Sequence, residues 1–251
     1  MSDASTVPGW YGKLPTLGDF ASRRLDAGFI EPWDLWLGEG LAAQREQLGE
    51  AWLDAYLGSA VWRFVLMPGT MPGEAGAVVR AGVLMPSVDR VGRYFPLTIV
   101  TTLAQLPTST GAVEGLLGWL HRLEDVAVDA LHEDWSIDEL DAALESLPPP
   151  TADATLPGHL APAQQALAEA MAAGGFVDVA PVRSRNDLAM LLCDALGGGT
   201  AAPTLGRGLG FWLADNPAAP RLLVSRGLPA REQIVSMLGA NGREPGGETI
   251  F

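Results

Sequence analysis

The sequence predicts an α+β protein: a mostly antiparallel sheet with helices packed on it, followed by a smaller C-terminal lobe or extension. Short apolar runs at 61–67, 78–85, 94–100, 208–214 and 221–225 are rich in branched and aromatic residues. Each is too short for a free-standing helix and is bounded by turn residues, so each reads as a strand. Between them, longer stretches repeat their apolar residues at helical spacing. The run Pro148-Pro149-Pro150 opens a Pro- and Ala-rich stretch reaching Pro162. Proline lacks the amide donor and clashes within a helix, so this stretch cannot hold a regular one. The expected organisation is an α+β domain at 1–147, a linker at 148–162 and a C-terminal α/β extension at 163–251.

Residues 1–9 read as a loose leader and 10–14 as a short strand, closed by Pro15 and the Gly18-Asp19 turn signal. The segment 20–25 carries Arg23 and Arg24, and Asp19 either caps the turn or pairs with one of them. Pro32 is expected to open a helix, since proline is tolerated at a first helical position. Trp33, Trp36, Leu37, Leu41 and Leu48 share one face of it, Gly49 interrupts, and Trp52, Ala55 and Tyr56 continue the pattern to Gly58. A tryptophan stripe of this kind reads as core. The strand at 61–67 ends at Pro68-Gly69, and 69–76 is a loop.

The runs 78–85 and 94–100 read as two buried strands joined by the link 86–92. That link holds Asp89 and Arg90, with Arg93 just beyond it, between segments that must be inside. Here a protein displays recognition groups on a rigid support. The alternative is that Arg90 and Arg93 pair with Asp19 or Asp89 and fasten the loop to the body. Next, a Thr/Ser linker at 106–111 caps a strongly amphipathic helix built on Val113, Leu116, Leu117, Leu120, Leu123, Ala127, Ala130 and Leu131. Ser136 with Glu139 forms a capping-box pattern ahead of Ile137, Leu140, Leu144 and Leu147. Further on come helices at 163–173 and 188–196, strands at 208–214 and 221–225, a helix at 229–238 and a frayed tail.

The net charge is −14, and Lys13 is the sole lysine. Nonspecific binding to nucleic acid or an anionic membrane depends on Lys and Arg, so neither is expected. Eleven acidic residues lie between Glu114 and Asp153 against one arginine, Arg122. They form either a solvated helical face or a docking face for a basic partner. The single cysteine, Cys193, excludes an internal disulfide and reads as a buried thiol. With no basic-then-apolar leader, and no apolar run of the ~18 residues a membrane helix needs, the chain reads as soluble and cytoplasmic.

Catalytic signatures are absent from the sequence: there is no GxSxG elbow, HExxH, Walker loop or cysteine pair. His121, His132 and His159 have no ligand spacing. The glycines at 206–210 precede a strand, so their amides would not converge on a phosphate. Asp19 and Asp89 could hold Mg²⁺ only if they met in space. The expectation is a protein without cofactor or metal.

Five segments carry a resemblance: WYGKLPTLGDFASRRL (10–25), EPWDLWL (31–37), EAWLDAYL (50–57), VWRF (61–64) and GVLMPSVDRVGRYFPLTIV (82–100). In this order they resemble the N-terminal domain of TagF, an accessory protein of the bacterial type VI secretion system, over most of 10–135. The resemblance implies a longin/profilin-like layout and post-translational negative regulation of secretion. It implies a cytoplasmic protein partner, a forkhead-associated scaffold, bound by sequestration without turnover. It also implies partner-binding roles for Asp19, Arg23, Arg24, Asp89, Arg90 and Arg93. Some relatives are fused to a metal-dependent serine/threonine phosphatase, whose aspartate-glycine motifs are missing here, so that activity does not carry over. Two other readings stand beside this one: an adaptor that promotes assembly of the machine, and an enzyme built from scattered carboxylates and arginines.

Overall fold

A computed structural model describes residues 7–104, 107, 109–150, 177–178, 207–214 and 221–239. Eight antiparallel strands form one sheet: β1 (Gly9–Gly12), β2 (Ala21–Arg23), β3 (Trp62–Leu66), β4 (Arg80–Met85), β5 (Leu97–Thr102), β6 (Val177–Asp178), β7 (Leu209–Ala214) and β8 (Arg221–Arg226). Their order across the sheet is β2-β1-β5-β4-β3-β7-β8-β6. Helices α1 (Ala27–Leu48), α2 (Trp52–Leu57), α3 (Thr110–His132), α4 (Ile137–Ser146) and α5 (Arg231–Met237) cover both faces. The fold is α+β with an antiparallel sheet, as the apolar runs predict.

Coverage on both faces explains why these strands read as continuous apolar runs instead of alternating ones. Trp10, Val65, Val83, Ile99, Phe211 and Val224 point into one core with α3 and α4. Tyr11, Trp62, Phe64, Leu84, Val100, Trp212 and Leu223 point into the other with α1, α2 and α5. Strand side chains alternate with period two, so neighbours such as Phe211 and Trp212 serve opposite cores.

The C-terminal strands extend the same sheet. β7 pairs with β3 from Arg63↔Leu213 to Leu66↔Gly210, and β8 pairs with β7. Three side chains from earlier elements then hold the α5 region. Trp36 Nε1 donates to the Pro229 carbonyl at 2.7 Å, Trp62 Nε1 to that of Met237 at 2.9 Å, and Gln44 Nε2 to that of Leu238.

One helix start is corrected. Pro32 does not open α1; it lies in the second turn, because Asp26 caps the helix by accepting the Phe29 amide at 2.9 Å. That bond satisfies a donor orphaned at the helix start. The Ser136/Glu139 capping box forms as expected at α4. Cys193, His159, the expected helices at 163–173 and 188–196, most of the 148–162 linker and the tail from 240 lie outside the described residues.

Candidate functional site

The loop at 13–20 after β1 and the loop at 86–96 between β4 and β5 lie side by side. The second is a small hairpin: Phe95 N donates to Ser87 O at 3.1 Å, Asp89 N to Arg93 O at 3.0 Å, and Gly92 N to Asp89 O at 3.0 Å. Gly92 sits at φ 80°, a conformation open to glycine at little cost. Asp89 is the hub of this turn. Its Oδ1 accepts the Val91 and Arg93 amides at 3.0 and 2.9 Å. Its Oδ2 accepts Lys13 Nζ at 2.5 Å and Arg93 Nε at 2.7 Å. Four donors saturate a carboxylate, leaving no lone pair for a metal ion or a travelling proton.

Both Asp89 and Lys13 are buried. Burial alone would raise the Asp89 pKa, but hydrogen bonds from Lys13, from the Arg93 amide and guanidinium and from the Val91 amide outweigh it. The carboxyl is held well below the usual carboxylate range. Other contacts close the assembly. Arg90 N donates to Leu17 O at 2.8 Å, and the Arg93 guanidinium also reaches Gly18 O. Ser87 Oγ donates to Lys13 O at 2.7 Å, and the Ser87 backbone exchanges two hydrogen bonds with the Tyr56 hydroxyl of α2. Burial pushes the Tyr56 phenol far above its ordinary pKa, so it stays protonated as the donor.

The six residues named from sequence fall into two groups. Asp19, Asp89, Arg90 and Arg93 meet at the joined loops, where Asp19 is 81% exposed and lies 3.9 Å from Arg93. Asp19 also accepts the following amide, that of Phe20, at 2.8 Å. Arg93 is therefore a fastening residue, whereas the exposed Arg90 guanidinium projects over Gly18. Arg23 and Arg24 turn away and meet Asp141 of α4, at 3.7 and 2.7 Å. Trp10 Nε1 donates to the same carboxylate at 2.9 Å. Burial acts against ionisation of Asp141, but the Trp10 and Arg24 hydrogen bonds and both arginine charges win, holding its pKa down. Thr16 Oγ1 donates to Trp135 O at 2.8 Å, so the turn before α4 also buttresses the first loop.

Sequence reasoning missed Lys13, Asp141 and Phe20 as members of these clusters. The available signal was Lys13 itself, a lone lysine between apolar neighbours, since a buried ammonium requires a partner. Phe20 stacks on Tyr11 at 5.8 Å, meets Phe95 edge-on at 4.8 Å and lies under Lys13 Nζ at 4.4 Å. Among the described residues no His, Cys, Asp or Glu grouping could hold a metal ion. No described helix is long and apolar enough to cross a membrane.

Residues 9–147 match the model of a family described as the TagF N-terminal domain, type VI secretion system-associated. The chain belongs to the TagF N-terminal domain family. It is also similar to PA0076 from Pseudomonas aeruginosa PAO1, known from its crystal structure, at 32% identity and a TM-score of 0.65. That similarity covers 94% of this chain and 96% of PA0076, so it extends well beyond the family match. Comparison with curated proteins gave no match. Membership places the joined loops inside the family domain, since both the 13–20 and the 86–96 segments fall within the matched span.

Proposed function

We propose that this protein is a non-enzymatic, post-translational repressor of type VI secretion that acts in the cytoplasm by binding a forkhead-associated scaffold protein and withholding it from the assembling machine. The observation that carries this reading is the Asp89 hub. Its charges are committed internally, so what the loops offer outward is a fixed surface, suited to holding another protein and not to turnover. Sequestration needs no covalent step, only a surface whose shape survives in the free state and so binds at a low ordering cost.

The test joins genetics with binding. Deleting the gene should raise export of the tube protein, overproduction should lower it, and the purified scaffold should bind the purified chain. Decreased export on deletion would favour the adaptor reading instead. A metal- or nucleotide-stimulated turnover by the pure chain would replace both with an enzyme.

A further inference from the structure

We propose that the joined loop tip, Phe20, Arg90 and Val91 with the Arg93 guanidinium beside them, is the docking face, and that it fits an apolar cleft rimmed by carboxylates on the partner protein. This deepens the repressor reading and rests on it for the identity of the partner.

The first argument is charge. Lys13 and Arg93 share one carboxylate, Asp89, and Arg93 lies 3.9 Å from a second, Asp19. Arg90 adds a third cation at the hairpin turn, so three positive side chains stand against two carboxylates there, and the second of these, Asp19, is largely in water. The tip is thus a locally positive island on a chain of net charge −14. Such an island attracts and orients an acidic surface, and the rest of this molecule repels one.

The second argument is apolar exposure at the same place. Val91 is 63% exposed at the turn, and Phe20 is 44% exposed although its ring is fixed from behind by Tyr11, Phe95 and Lys13. An aromatic ring held in one orientation, two residues from the Gly18 that the exposed Arg90 guanidinium overlies, matches the enrichment of aromatic residues and arginine at interfaces. The third is fixity. The Arg90 amide is tied to Leu17, and Gly92 closes the turn onto Asp89, so the two loops present one surface.

The experiment uses the full chain and purified scaffold, with Arg90→Glu and Val91→Asp as tip variants. Both side chains project from the turn, and unchanged thermal unfolding would verify that the variants fold. Arg122→Glu, an exposed site on α3, makes the same charge change elsewhere. In parallel, each variant is tested for restoring normal tube-protein export to the deletion strain. The expected result is that each tip variant weakens scaffold binding by about tenfold or more, Arg90→Lys much less, and Arg122→Glu not at all. Wild-type affinity should also fall as salt rises. Tip variants that bind and complement like wild type overturn the docking face while leaving the repressor reading intact. If the scaffold does not bind wild type but tip variants still fail to complement, the face stands and the partner is another acidic component. A deletion without effect on export overturns both.

Discussion

Asp89 gives up all four of its acceptor sites to this chain, and it holds two cations that would otherwise lie close together with no counter-charge. Removing one member of a buried ionic cluster costs more than the net worth of the cluster, because the remaining charges are stranded. Asp89→Asn strands both Lys13 and Arg93, whereas Lys13→Met leaves Asp89 paired with Arg93. Thermal unfolding should therefore rank Asp89→Asn as the more damaging of the two, and the reverse order would contradict the hub. The same carboxylate sets a pH dependence. Asp89 and Asp141 both have folded pKa values below their unfolded ones. Their contribution is thus complete above the unfolded carboxylate pKa of about 4 and is lost as pH falls through and below it. Denaturant unfolding measured from pH 6 downward should show stability level at first and then declining below about pH 4. The decline should be shallower in Asp141→Asn.

At the scale of elements, the helix ends near the site are set by local chemistry that substitution can test. Asp134, just beyond α3, is held at φ 52°, with Trp135 N donating to Ala130 O at 3.0 Å. A residue with a Cβ is strained there, so Asp134→Gly is expected to stabilise by roughly 0.5 kcal/mol. At the next start, Ser136→Ala removes the cap that receives the Glu139 amide and should cost about 1 kcal/mol. Calorimetric midpoints moving in opposite directions would bear out both ends of this link. Gly12 lies at φ 139°, and a Cβ on it would meet the Pro96 carbonyl. It is the glycine that lets β1 pass close to the end of the 86–96 loop, so the approach of the two loops depends on it.

At the scale of the whole molecule, the family match ends at 147, yet the sheet continues through β7 and β8. A fragment ending at residue 150 would leave β3 as an open edge and remove Phe211 and Trp212 from the two cores. Trp36, Gln44 and Trp62 would lose their backbone acceptors as well. An exposed apolar edge strand is a template for aggregation. Such a fragment should lack cooperative thermal unfolding and sediment as aggregate, while the full chain unfolds in one step. In the full chain, Trp62→Phe should cost about 1–2 kcal/mol by leaving the Met237 carbonyl unpaired.

Most of the elements were legible in the sequence. Apolar runs bounded by Pro and Gly mark β3, β4, β5, β7 and β8, and the Ser136-Glu139 pair marks α4. The α1 start was misplaced because Pro32 is a louder signal than Asp26, although a capping carboxylate decides where the first orphan amides are satisfied. Of the site, the turn residues Asp89, Arg90 and Arg93 could be picked out as polar groups held between buried strands.

What the sequence determined by itself was local: which segments are strands or helices, and which loop carries charge, since periodicity and capping act over a few residues. Who meets whom was decided only in three dimensions. Lys13 and Asp89 are 76 positions apart, and Arg24 and Asp141 are 117 apart. The pairing of β1 with β5 brings the first pair together, and the packing of α4 into the core that holds Trp10 brings the second. Only these placements turned three candidate arginines at the tip and its flank into fasteners and left Arg90 facing outward. Electrostatic pairing depends on distance in space, which a linear chain does not encode at any one position.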